Sequence, residues 1–239
     1  MLSTRGIILK TVKYGETSII CDIYTEEIGL QSYIINGVRK RNAKFPASLF
    51  QPMYLVEIVA YHNPRKDLNR IKEIKAEFPY QSIPFEIKKS SIGQFALELL
   101  RKSIREHEAN PPLFEFVHSF FLYLDKTKEG FYNSHLWFAI HLTQFLGFIP
   151  SGVCDENTPY FDLEKGQFVP IRSNFHQLEQ WASEDLFGLM HLDLKDNQQI
   201  NLNARSRNRL IEYLIRFYQY HIEGMPTMNS HQILAQVFS

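Results

Sequence analysis

Four cations, Arg39, Lys40, Arg41 and Lys44, stand inside the run Asn36-Gly37-Val38-Arg39-Lys40-Arg41-Asn42-Ala43-Lys44, which contains no acid. Positive side chains at that density repel one another unless solvent or a polyanion takes up their charge, so the run is either a solvated loop or a phosphate-contacting one. A second group lies far downstream. Arg205, Arg209 and Arg216 are four and seven residues apart, which places them within about 40° of one another on a helix. Glu212 shares that stripe, and an internal ion-pair ladder is the competing explanation. Against it, Arg205, Arg207 and Arg209 load a helix N-terminus with charge that the macrodipole disfavours by some tenths of a kcal/mol each. A third group, Arg101, Lys102 and Arg105, ends a helix whose apolar face carries Ile92, Phe95, Leu99 and Leu100. An apolar face that ends in cations suits an anionic partner. A solvated C-terminal turn favoured by the helix dipole explains the same cations equally well.

Motifs for catalysis are missing. The chain has no glycine-rich phosphate loop, no G-x-S-x-G elbow, no H-E-x-x-H and no recognisable pair of carboxylates. Its nine histidines are scattered, and neither His135 with His141 nor His221 with His231 has metal-ligand spacing on a helix. Cys154 is a lone loop cysteine with no motif around it. The reading is therefore a protein that is not an enzyme and carries no cofactor or metal. Tyr14, Tyr24 and Tyr33 neighbour the basic run and can either stack bases or fill a core.

The elements that would hold these residues fall into two parts. Strand-like runs occupy residues 6–13, 17–25, 30–38, 53–61 and 68–78, rich in β-branched and aromatic residues and separated by short turns, two of them at Gly15 and Gly29. Phe45 to Phe50 leaves room for one helical turn after the third strand. Five short antiparallel strands with that turn describe a closed barrel of the OB type. After Pro79 to Pro84, read as a linker, helical periodicity takes over: a helix through Ile92 to Ile104, one from Pro111-Pro112 through Leu124, and one from Ser134 as N-cap to Gly147. Further helices are expected at Phe175 to Leu189, Ala204 to Ile222, and Asn229 to Val237. The fold class is α+β: an OB-type barrel over residues 1–80, then an all-α domain over 81–239 with an irregular insertion at about 150–172 that contains a hairpin at Tyr160-Phe161-Asp162 and Gln167-Phe168-Val169.

Charge follows the same division. The chain of 239 residues is formally neutral, yet residues 1–80 carry twelve Lys and Arg against eight Asp and Glu, a net of +4 that leaves −4 for the remainder. A basic front end on a carboxylate-rich support suits a nucleic-acid reader. Two cysteines without a pairing pattern indicate a reducing cytoplasm. The N-terminal Ile7-Ile8-Leu9 is too short for a signal peptide. Leu136 to Ile149, with His141, Gln144 and Gly147 inside, is too short and polar to span a bilayer, so it reads as a buried core helix and no membrane partner is expected.

Several motifs resemble the RecO family of bacterial recombination mediators. They are Gly6-Ile7-Ile8-Leu9, Tyr14-Gly15-Glu16-Thr17-Ser18, Tyr24-Thr25-Glu26-Glu27-Ile28-Gly29-Leu30, Gly37-Val38-Arg39-Lys40 and Leu49-Phe50-Gln51-Pro52. In the helical part, Gly147-Phe148-Ile149-Pro150, Cys154, Phe161-Asp162, Gly166 and His221-Ile222-Glu223-Gly224 are similar too, so the resemblance covers essentially the whole chain. It implies a non-enzymatic protein that binds single- and double-stranded DNA, anneals complementary strands, and joins RecR in helping the recombinase load at gaps. It also implies engagement of the acidic C-terminal tail of the single-stranded-DNA-binding protein, which ends in an aromatic residue and a free carboxylate, with Arg101, Lys102 and Arg105 as the expected rim and Arg205 and Arg209 as the rival one. A protein-interaction adaptor with an OB barrel and a merely solvated basic loop is the alternative. Many members hold zinc with four cysteines in the insertion, beginning C-x-x-C. Here Asn157 stands three residues after Cys154 and no later cysteine follows. The expectation is a metal-free insertion held by packing of Tyr160, Phe161 and Phe168.

Overall fold

The computed structural model describes residues 1–104 and 108–238. Five strands, β1 (Leu2–Tyr14), β2 (Ser18–Thr25), β3 (Gly29–Ile35), β4 (Leu55–Tyr61) and β5 (Leu68–Ala76), close into a barrel of order β1-β2-β3-β5-β4. All neighbours are antiparallel except β3 and β5, which pair in parallel through Ser32↔Leu68, Tyr33↔Asn69 and Ile34↔Arg70. This corrects the all-antiparallel expectation, and the reason is parity. An odd number of strands cannot alternate direction around a closed ring, so one parallel pair is obligatory.

β1 serves two partners. Residues 2–7 pair with β4 and residues 6–14 with β2, and a bulge between Ile8 and Lys10 turns the strand from one to the other. Ile7, Ile8 and Leu9 are all buried, but of the three Ile8 belongs to the barrel core, whereas Ile7 shares the opposite face with its register partners Tyr24 and Leu55, which are buried as well. Gly6 lies at the overlap, and a Cβ there would come within 2.6 Å of Ile23 Cγ2, so this position needs the smallest residue. Inward residues Ile8, Ile19, Cys21, Ile23, Tyr33, Ile35, Val56, Ile58 and Ile71 fill the barrel, joined by Phe50 from a 3-10 turn at Ala47–Phe50. Each of the aliphatic side chains and Phe50 contributes about 1.5–3 kcal/mol by leaving water.

The chain forms two compact units. The first joins Met1–Gln81 to α2 (Pro111–Lys126) as far as Tyr123, and the second joins Ser82–Ile104 to the chain from Leu124 onward. Within the first, Phe114 packs beside Tyr24, with ring centroids 6.2 Å apart. His118 meets Glu77 at 2.9 Å, and Arg5 bridges Glu26 on one side and Glu115 on the other.

The second unit contains α1 (Ile87–Ser103), α3 (Ser134–Leu146), α4 (Gln180–His191), α5 (Ala204–His221) and α6 (Ser230–Val237), with the hairpin β6 (Tyr160–Asp162) and β7 (Gln167–Val169). The Tyr218 hydroxyl donates to the Ala139 carbonyl at 2.7 Å and ties α5 to α3. Asn133, not Ser134, stands at the N-cap of α3, and its side chain donates instead to the carbonyls of Asn197 and Ile200. α4 begins five residues later than the pattern at Phe175 suggests. The backbone of residues 176–178 is taken by β6, since Leu163 N–H donates to His176 O and Leu178 N–H to Phe161 O, both at 2.9 Å. Helix periodicity cannot register a strand partner that distant in sequence. Among the described residues no helix is long and apolar enough to cross a membrane.

Candidate nucleic-acid interface

The basic run leaves β3 through a turn in which Gly37 takes φ 71° and the Lys40 N–H donates to the Gly37 carbonyl at 3.1 Å. It then lies against the β1–β2 hairpin tip. Arg39 donates its backbone N–H to Thr17 O at 3.2 Å and its guanidinium to Glu16 O at 3.1 Å. Lys44 reaches the Lys72 carbonyl at 2.7 Å, with its ammonium 4.7 Å from the Phe45 ring centre. All four cations are exposed. Among the described residues no carboxylate lies within ion-pair distance of any of them, so their partners inside the protein are neutral carbonyls that leave the charge uncompensated.

Beside the loop, strand register assembles a row that no single segment of sequence contains. Val12 pairs with Ile20, Ile20 with Ile34, Ile34 with Arg70, and Arg70 with Tyr61. Paired residues share a face, so three aliphatic side chains, a guanidinium and a phenol form one transverse line on the outside of the barrel. Tyr61 is 53% exposed, and Tyr14, 52% exposed, ends β1 nearby opposite Ser18. The β4–β5 loop adds Arg65 and Lys66, both exposed. Buried Asn69 shapes that loop by accepting from Asn63 N–H at 2.9 Å, while Asn63 Oδ1 accepts from Arg65 N–H. Of the three tyrosines read as stacking or core, Tyr24 and Tyr33 are core, with burial raising both hydroxyls to about 12. Arg65, Lys66, Arg70 and Tyr61 escaped the sequence reading; the alternation of β5, with Arg70 opposite in phase to Ile71, was the available signal.

On α5 the arginines divide. Arg209 donates to the Tyr213 hydroxyl at 3.1 Å and pairs with Glu212 at 3.5 Å and Glu179 at 3.9 Å, so the ladder explanation holds for it. Arg205 is exposed with no ion pair among the described residues, and Arg216 donates to the Phe175 carbonyl at 3.0 Å. Arg207 turns the other way, toward Tyr132 and Phe238. At the end of α1, Lys102 is engaged by Glu98 at 2.7 Å and by the Thr227 carbonyl, Arg101 is half-exposed, and Arg105 lies outside the described residues.

The family model described as Recombination protein O N terminal matches residues 1–80, and the one described as Recombination protein O C terminal matches residues 84–158. The chain belongs to the RecO family. It is 37% identical over 240 residues to the DNA repair protein RecO of Christiangramia forsetii, covering 100% of this chain and 99% of that one. It is 33% identical over 237 residues to the protein of the same name from Bacteroides fragilis, with 98% of each covered. The relative from Flavobacterium johnsoniae is 35% identical over 240 residues, at 100% and 99% coverage. The membership is thus in a family of DNA repair proteins.

A four-cysteine zinc site does not fit the residues of this insertion. Cys154 is the single thiol of the insertion, raised by burial and by the nearby Glu184 and Asp155 charges. Asp155 is occupied as an acceptor from Asn157 and Thr158. Among the described residues no three His, Cys, Asp or Glu side chains gather where a metal would be held. The hairpin is held instead by Phe161 against Phe168 and Phe217, at 5.0 and 5.7 Å between ring centres. Buried Asp162 pins it, accepting from Glu164 N–H, Lys165 N–H and the Gln177 amide. Burial raises the Cys21 thiol to about 12 and lowers His135 to about 3, so neither is charged near neutrality.

Proposed function

We propose that this chain binds DNA through the outer face of its barrel and the basic loop beside it, and acts in DNA repair as a non-enzymatic mediator in the cytoplasm. The observation that carries this reading is the juxtaposition of Arg39, Lys40, Arg41 and Lys44, uncompensated by any carboxylate among the described residues, with the in-register row Val12, Ile20, Ile34, Arg70 and Tyr61. Loop cations track phosphates without regard to sequence, while the apolar and aromatic row offers surface to bases. Such a surface takes single strands, and its cations take duplexes through the backbone. On the second unit Arg205 adds an exposed cation, and Arg209 beside it is shared with Glu179 and Glu212.

As a family member it would anneal complementary strands, join RecR, and engage the acidic tail of the single-stranded-DNA-binding protein, with Arg101 at the end of α1 as the cation offered to that tail. The test is oligonucleotide affinity across salt concentrations, followed by strand annealing with and without single-stranded-DNA-binding protein. Affinity that falls steeply with salt, and annealing on protein-coated strands, are expected. Weak binding at every salt concentration would instead leave a protein-interaction adaptor.

A further inference from the structure

α5 presents a stripe of arginines with exposed aromatic rings gathered at its two ends. Arg205, Arg209, Glu212, Arg216 and Tyr220 fall within about 80° of one another, along roughly 22 Å of helix. At one end, Trp181, Arg205 and Arg209 line a single open cavity of about 950 Å³ together with Glu179 and Glu212. At the other, Arg216 holds the Phe175 carbonyl, Phe175 lies 4.0 Å from the His176 ring centre, and His176 lies 5.2 Å from Tyr220 and hydrogen-bonds its hydroxyl. Phe175 is 73% exposed, Tyr220 39% and Trp181 37%. Core packing does not explain rings that face water.

The charge balance of this face is positive. Arg172, Arg205, Arg209 and Arg216 stand against Glu179 and Glu212, and both carboxylates are already engaged, Glu179 by Arg172, Arg209 and Tyr213, and Glu212 by Arg209. All four cations are arginines, whose planar groups both fork onto phosphate and stack on flat rings. A ligand matching several flat apolar sites and several cations along one extended line carries negative charge and planar faces at intervals. We infer that this face of α5, with Trp181 and Phe175 at its ends, is a platform for single-stranded nucleic acid whose unstacked bases lie on the aromatic rings. A duplex keeps its bases stacked and offers only phosphates, and an acidic peptide with one terminal aromatic needs one pocket rather than a row.

The inference rests on the DNA-binding reading, and the experiment separates the two. The full-length protein and its Trp181→Ala, Phe175→Ala and Trp181→Phe variants are titrated with a thymidine homopolymer of about 16 nucleotides and with a duplex of equal length. Tryptophan emission and anisotropy of labelled DNA are followed together. The chain has two tryptophans, so the difference between wild type and Trp181→Phe isolates the Trp181 signal. The single strand is expected to quench Trp181, and the two alanine variants to lose roughly five- to a hundredfold in single-strand affinity. Duplex affinity stays within about twofold, and Trp181→Phe, which keeps a ring, recovers most of the loss. Unchanged single-strand affinity in both alanine variants, with salt-sensitive binding retained, overturns the platform and leaves the barrel as the DNA site. Equal losses for strand and duplex overturn it in favour of phosphate contact alone. Quenching by an acidic peptide but not by DNA makes the face a protein site. Absence of DNA binding by the wild type overturns both readings.

Discussion

The carboxylate of Glu98 on α1 closes the N-terminus of α6 by accepting the backbone N–H of Ser230 at 2.8 Å, and it takes the Ser230 hydroxyl as well. Asn229 N–H and the Lys102 ammonium complete the set. A residue 132 positions away thus does the work that a local N-cap side chain does elsewhere. Burial opposes the charge of Glu98, but the donors Lys102, Ser230 and Asn229 together outweigh it and hold the group at about 2. The folded value lies below the unfolded one, near about 4.3. Its stabilisation is therefore complete above the unfolded value and lost as pH falls toward about 2. Glu98→Ala is expected to cost about 1–2 kcal/mol near neutrality. The stability gap between wild type and Glu98→Gln should shrink as the pH of thermal melts is lowered through that window; a gap independent of pH would refute the titration.

Reversing Arg39, Lys40 and Arg41 to glutamate should leave the fold intact and weaken DNA binding. The side chains are exposed, and among the described residues only the Arg39 guanidinium contributes a hydrogen bond, to Glu16 O. Stability should move by about 0.5 kcal/mol per site, whereas each phosphate that is no longer neutralised lowers the salt slope by about 0.7–0.9. A folded triple variant with wild-type affinity and slope would place the DNA site elsewhere.

Arg5 holds Glu26 through two nitrogens at 2.9 and 2.7 Å and also pairs with Glu115. Arg5→Ala leaves both carboxylates without their guanidinium and is expected to cost about 1–3 kcal/mol in urea unfolding. The Arg5 hydrogen bonds hold Glu26 below the usual carboxylate range, so this contribution too fades as the medium is acidified. An Arg5→Ala midpoint equal to wild type would show that the network is solvent-screened.

Protein purified without added metal should contain zinc far below one ion per chain, and a chelator should leave its melting temperature unchanged. A structural site needs four good donors, and the insertion provides one thiol. Stoichiometric zinc by elemental analysis would contradict this directly.

Lys102 and Arg101 are adjacent, yet they should behave differently toward an acidic peptide ending in phenylalanine. Lys102→Gln removes a donor to Glu98 and the Thr227 carbonyl and should lower stability by about 1–2 kcal/mol. Arg101→Gln should leave melting unchanged and weaken the peptide severalfold. If charge removal at Arg205 and Arg209 abolished peptide binding while Arg101→Gln did not, the tail site would move to α5.

Local pattern in the chain was enough to specify five strands, most helix boundaries and the basic run. β-branched runs, Pro111-Pro112 at a first turn and Gly147 at φ 83° act within a few residues of themselves. The hairpin at Tyr160–Asp162 and Gln167–Val169 was legible for the same reason. What the tertiary structure alone decided is pairing between distant positions. The parallel β3–β5 seam follows from closing an odd ring, and the row from Val12 to Tyr61 exists only once five strands are in register. The cap on α6 comes from α1, and residues 176–178 leave the helix because β6 claims their backbone. Tyr14 and Tyr24 show the limit most plainly. Both are tyrosines at ends of neighbouring strands, and only the closure of the barrel, with Phe114 of α2 against it, put one ring in water and the other in the core.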